Sequence, residues 1–152
     1  MKVACGFDHA GVPLRETVVT ALQSGGHEPS DLGTADDYPD VALAVCRAVL
    51  GGEADRGVVV CGSGAGVSVA CCKVHGIRAT VAHDHYTAEQ CVGHDNCNVL
   101  CIGARVIGTA IAAEVVQAFA DAAFTGEERH VRRLGKVDAI ERDGLNANLE
   151  GS

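Results

Sequence analysis

Residues 56–73, RGVVVCGSGAGVSVACCK, allow few folds. Val58, Val59 and Val60 form an unbroken β-branched run, the pattern of a strand buried on both faces. The run ends at Cys61. Gly62, Gly64 and Gly66 follow at alternate positions, and small apolar residues then resume with helical spacing. A strand, a glycine turn and a helix start bring backbone N–H groups and partial positive charge beside the last strand residue. Such surroundings favour a thiolate. The plainer reading is a tight turn in which cysteine is only a small buried hydrophobe. A dinucleotide fingerprint would need glycine where Val67 stands, and a P-loop would need Gly-Lys-Ser/Thr.

The rest of the chain repeats this strand-then-helix order. Strands are expected at Lys2–Phe7, weakly at Pro29–Leu32, through the valine run, at Ile77–Ala82 and at Asn98–Ile102. A first helix carries Leu14, Val18, Val19 and Leu22 and stops at Gly25-Gly26. A polar loop, Gly33–Asp40, leads to a second helix over Val41–Leu50. The helix after Gly66 is expected to stop near His75-Gly76, another to run from Thr87 to Gly93, and a longer one over Thr109–Phe124. This alternation predicts one domain, residues 1–152: a three-layer α/β/α sandwich around a five-stranded parallel sheet. Only 3% of residues are aromatic although 47% are apolar, so the core must be Val, Ala, Ile, Leu and Cys. A last helix keeps Val131, Leu134, Val137 and Ile140 on one stripe with no strand after it, which suits dimerisation. From Gly144 the chain is expected to fray.

A net charge of −8 argues against nucleic acid or anionic membrane partners. No apolar run reaches membrane-spanning length and no leader precedes the first strand, so the expectation is cytoplasmic. The eight cysteines come without a secretory signal or a C-x-x-C pair. All but Cys61 are therefore expected to be packing residues, and the spacing of Cys97 and Cys101 speaks against zinc.

Polar groups gather at the edges of these elements: Asp8 and His9 after the first strand, the Cys61 turn, His94, and Arg129 with Arg133. Asp8 has a plainer role as the cap of the following helix. Arg129 and Arg133 are four apart on one helix face and suit a phosphate, although pairing with Glu127, Glu128 or Asp138 is the simpler use. An anion anchor, a thiol, histidines, a carboxylate and an amide-lined turn fit proton abstraction beside a carbonyl. That chemistry needs no metal and no organic cofactor.

The chain resembles the ribose-5-phosphate isomerase B family, which includes the galactose-6-phosphate isomerase subunits. The resemblance spans residues 2–142 and rests on motifs in fixed order: Asp8-His9-Ala10-Gly11, Asp37-Tyr38-Pro39-Asp40, Cys61-Gly62-Ser63-Gly64, Gly76-Ile77-Arg78-Ala79, Asn98-Val99-Leu100 with Gly103-Ala104-Arg105, and Arg129-His130 with Arg133. It implies a Rossmann-like sheet and a homodimer or homotetramer whose active sites are shared between chains. It implies an aldose–ketose isomerase converting D-ribose 5-phosphate to D-ribulose 5-phosphate through a cis-enediolate. By position Cys61 corresponds to the base, and the lack of a carboxylate at Gly66, Val67 and Ser68 is what the family's cysteine branch shows. His94 corresponds to the ring-opening group and Ser63 to a hydroxyl near the base. Asp8, His9 and Tyr38 correspond to groups contacting the sugar. Gly62, Gly64 and Gly66 form the turn facing the enediolate, and Arg105, Arg129 and Arg133 correspond to the phosphate clamp. Where the family usually has asparagine after the histidine, this chain has Asp95, then Asn96. An ionised Asp95 would repel an enediolate, so it points away, is protonated, or yields its place to Asn96. Cys72 likewise stands where the family usually has asparagine. The rivals are the same chemistry on a galactose, allose or tetrulose phosphate, and a non-catalytic sugar-phosphate-binding module.

Overall fold

The computed structural model describes residues 1–149. Five strands, β1 (Lys2–Asp8), β2 (Glu28–Ala35), β3 (Arg56–Cys61), β4 (Ala79–Val81) and β5 (Val99–Gly103), form one parallel sheet in the order β2-β1-β3-β5-β4. The helices are α1 (Arg15–Ser24), α2 (Tyr38–Leu50), α3 (Ala65–Cys71), α4 (His85–Gly93), α5 (Thr109–Asp121) and α6 (Glu128–Asp143). In β3, Val58 and Val60 pack on one face with α1, α4 and α5, whereas Val59 and Cys61 pack on the other with α2 and α3. All three valines are fully enclosed, as a strand between two helical layers requires. Among the described residues no helix is long and apolar enough to cross a membrane.

Several boundaries differ from those expected, each for a local reason. β2 runs on to Ala35 because Leu32 and Gly33 form a bulge opposite Gly6, with Gly33 at φ 90°. The chain then enters α2 at Tyr38, not Val41, with Asp37 extended at the cap and a proline in the first turn. Thus Tyr38 belongs to a helix start, not to a loop. α3 stops at Cys71, and separate turns carry the chain past Gly76. β4 keeps only three residues: the Asn98 side chain accepts from Arg78 N–H (2.8 Å) and donates to the Gly76 carbonyl (2.9 Å), replacing ladder pairing there. α5 ends at Asp121 because the Arg56 guanidinium donates to the carbonyls of Phe119 (2.6 Å), Ala120 (3.2 Å) and Ala122 (2.7 Å).

α6 stands apart. Val131, Val137 and Ile140 each remain about half exposed, and Glu141 reaches the body by accepting from Gly76 N–H.

Candidate active site

β1 lies between β2 and β3, so the chain leaves β1 to one side and later returns on the other. Loops diverge at this switch point and leave a crevice at the carboxyl ends of the strands. Asp8 ends β1 and Cys61 ends β3 there. A cavity of about 400 Å³ at this edge is lined by Asp8, His9, Tyr38, Cys61, Gly62, Ser63, Gly66 and Arg105, with Ala10 and Val106. The ends of β1 and β3, the first residue of α2, the glycine turn and the segment after β5 thus meet in one cleft.

The thiol is held by its own turn. Gly64 N–H donates to Cys61 Sγ at 3.1 Å, and Cys61 is 5% exposed, at the floor of the cleft. Gly64 takes φ 81°, and a side chain there would meet the backbone of Ile102 and Gly103 at 3.1–3.2 Å. The turn is pinned from β5 as well, since Ala104 N–H donates to the Cys61 carbonyl (2.8 Å) and Arg105 N–H to that of Gly62 (3.0 Å). Ser63 Oγ accepts from Ala65 N–H at 3.3 Å. Gly66 leaves room for the Tyr38 ring, which a Cβ would approach to 3.2 Å. Asp8 Oδ1 accepts from Ala10 N–H (2.9 Å) and Gly11 N–H (2.8 Å), so it fixes the turn before the helix and still faces the cleft. His9 Nδ1–H donates to the Asp36 carbonyl at 2.9 Å, which leaves Nε2 as its second polar atom.

His94 is not in this cleft. It ends α4 and lines a separate cavity of about 360 Å³ with Tyr86, Gly93 and Thr125. Its ring lies 4.1 Å from that of His130, tilted 32°. His130 is 1% exposed, and its Nδ1 shares a hydrogen bond of 2.8 Å with Thr125 Oγ1. Burial, His94 and the neighbouring arginines hold His130 below the usual imidazole range. Arg129 pairs with Glu127 at 2.9 Å, the simpler of the two uses open to it. Arg133 and Asp95 share a third cavity, about 530 Å³, between α6 and the β4 edge, with Lys73, His75 and Arg78 among its walls. Asp138 and Glu141 line the same cavity, so Asp95 sits among charges of both signs, outside the Cys61 cleft of its own chain. Asn96 takes the left-handed conformation that asparagine tolerates at a helix end, φ 48°, and its carbonyl accepts from Arg78 Nε at 2.8 Å.

One expectation about cysteine needs correction. Cys72 is exposed, its Sγ donating to the Ala79 carbonyl at 3.4 Å, so it does not pack in a core. Cys97 and Cys101 do not converge with histidines; among the described residues no group of three or more potential ligands is placed to hold a metal.

The residue that sequence reasoning left without a role is His83, just past β4. Its Nε2 accepts from Gly103 N–H at 2.8 Å, tying β4 to the β5 turn that carries Arg105. The available signal was a histidine at a strand's carboxyl edge. Burial lowers its pKa from the ordinary value, with Asp84 opposing. A histidine depressed in the folded state contributes stability above its unfolded value, lost as pH falls through the folded one. The expected result is an acid-side fall in melting temperature below about pH 6.5 that His83→Gln reduces. Melting curves of both proteins between pH 8 and 5 check this, and parallel curves would refute it.

Fold and cleft together define a Rossmann-like α/β protein with a thiol-bearing glycine turn at its ligand edge. The Ribose/Galactose Isomerase family model matches residues 3–137, and the chain belongs to that family as an aldose–ketose isomerase of sugar phosphates. Ribose-5-phosphate isomerase B of Escherichia coli is 41% identical over 145 residues, covering 93% of this chain and 97% of that protein. D-erythrulose-4-phosphate isomerase of Pectobacterium atrosepticum is 37% identical over 131 residues, 83% and 86% of the two chains. The solved type B ribose 5-phosphate isomerase of Trypanosoma brucei superposes with a TM-score of 0.88 at 45% identity, over 91% of this chain and 97% of that one.

Proposed function

We propose that the protein interconverts D-ribose 5-phosphate and D-ribulose 5-phosphate, with Cys61 as the base. The observation that carries this reading is the cleft in which Cys61 Sγ, Asp8, Ser63 and Tyr38 meet at the switch point. After ring opening, Cys61 takes the C2 proton of the aldehyde form. The resulting cis-enediolate lies against the turn from Gly62 to Gly66, and Cys61 returns the proton to C1. The O2 proton passes to O1, with Asp8 and Ser63 as the nearest polar groups to relay it.

His94, Arg129 and Arg133 serve the site of a neighbouring chain in this reading. Support comes from their separation from Cys61 within one chain and from the unpartnered stripe on α6. A homodimer places the ring-opening histidine and phosphate clamp of one protomer over the thiol of its partner.

Ketose formation by the purified protein on ribose 5-phosphate, tetrose 4-phosphates, and allose and galactose 6-phosphates tests the substrate. The highest kcat/KM is expected for ribose 5-phosphate; a tetrose preference transfers the same chemistry to the shorter sugar, and no turnover on any refutes the reading. Co-refolding Cys61→Ala with His94→Ala chains tests the sharing. Hybrids should regain activity that neither parent has, and silent hybrids would put each site within one chain.

A further inference from the structure

Among the described residues two polar side chains are buried, Asp8 and His130. Asp8 faces the Cys61 cleft, whereas His130 lies outside it, at the third position of α6. Enclosing an imidazole where an aliphatic side chain would pack costs desolvation, so the contacts of His130 decide what it does there.

Those contacts gather at one junction, where the end of α4 meets the start of α6. The His130 ring lies 4.1 Å from that of His94, tilted 32°. Its Nδ1 shares a hydrogen bond of 2.8 Å with Thr125 Oγ1. Thr125 is tied to both helices in turn. Its N–H donates to the carbonyl of Gly93, the last residue of α4, at 3.0 Å, and its Oγ1 accepts from the N–H of Glu127, the cap of α6, at 3.4 Å. His94 N–H donates to the Gln90 carbonyl at 2.8 Å. The backbone of His94 is thus fixed by α4, and its ring has His130 for a wall.

α6 has few other holds on the body. Of its residues only His130 and Ala139 are buried, and Glu141 accepts from Gly76 N–H near its far end. Arg129 and Arg133 stand one position before and three after His130, so the ring that touches His94 also sets where both guanidinium groups start. The charged and titratable groups around His130 are His94, Arg129, Arg133 and Glu127. Burial, His94 and the two arginines hold it below the usual imidazole range, so a protonated His94 meets a neutral ring and not another cation.

We propose that His130 is a positioning residue: wedged between α4 and α6, it fixes the His94 ring and its placement relative to Arg129 and Arg133, so that the ring-opening group and the phosphate clamp form one unit. Its effect on turnover rests on the roles proposed above for His94 and the arginines; its grip on the His94 ring does not.

Two replacements in the full chain separate the ring from the hydrogen bond. His130→Asn keeps an amide within reach of Thr125 and removes the ring; His130→Phe keeps a ring against His94 and loses the hydrogen bond. Since a 1 Å misplacement costs up to about 10²-fold, His130→Asn should lower kcat on ribose 5-phosphate about tenfold or more and raise KM, and His130→Phe should restore most of the loss in kcat. A merely structural part would reduce the amount of folded enzyme and leave KM as it was. Carbon–proton spectra of the same proteins labelled at histidine read the contact directly. The His94 Cε1–H signal, identified by its absence in His94→Ala, should be sharp and ring-shifted in the parent and in His130→Phe, and should move toward the position of a free imidazole in His130→Asn. Unchanged kcat in His130→Asn, a phenylalanine variant no better than the asparagine one, or an unmoved His94 signal overturns the positioning role. A fall in kcat with unchanged KM overturns the tie to the arginines. A parent that turns over none of the sugar phosphates refutes the isomerase reading, and the His94 signal then decides the positioning by itself.

Discussion

Replacing Cys61 with alanine should lower kcat by about 10³-fold or more, in line with the 10²–10⁴-fold supplied by a general base. The fold should survive. Cys61 ends β3 at the cleft floor, and its Sγ accepts one amide hydrogen bond, from Gly64. Alanine fills most of the same space, and the turn remains pinned through the backbone bonds of Ala104 and Arg105. Calorimetric titration with ribose 5-phosphate should therefore still show binding while coupled ketose formation disappears. A variant that keeps full turnover would remove the proposed base, whatever its affinity. Loss of binding together with turnover would instead assign Cys61 a structural part.

Arg133→Ala should act in the opposite way, raising KM about 10- to 100-fold with kcat close to that of the parent. One hydrogen bond to a charged group is worth about 1.5–3 kcal/mol, and the phosphate lies remote from C1 and C2. Losing binding shared equally by ground and transition states raises KM alone. Asp95 sharpens the expectation: it shares the α6 cavity with Arg133, so removing the guanidinium leaves Asp95, Asp138 and Glu141 there with one cation fewer to offset them against a bound anion. The double variant Arg133→Ala/Asp95→Asn should recover part of the lost affinity. Steady-state kinetics on all three proteins measures this, and an unchanged KM in Arg133→Ala would exclude that residue from the clamp.

The layers were legible from β-branched runs and helical spacing, and the errors fell where side chains overrode local pattern. Gly33 reads as a loop residue, but a bulge lets the strand pass through it. Ile77 and Arg78 read as strand, but the Asn98 amide takes their place in the ladder. Phe124 reads as helix, but Arg56, distant in sequence, collects the carbonyls that end α5. The candidate site residues stood out as motifs, and their mutual placement did not. Cys61, Asp8, Tyr38 and Arg105 share a cleft, whereas His94 and Arg133 open onto two others. His83 escaped notice because its role is to accept one backbone hydrogen bond from a residue twenty positions away.

The sequence by itself determined the parallel sheet, its helical layers and the chemical identity of the thiol at the end of β3. These follow from periodicity and turn chemistry, which act over a few residues. Only the tertiary structure decided which polar groups meet, because strand order brings β1 and β3 together across the 47 residues from His9 to Asp55 and sends His94 elsewhere.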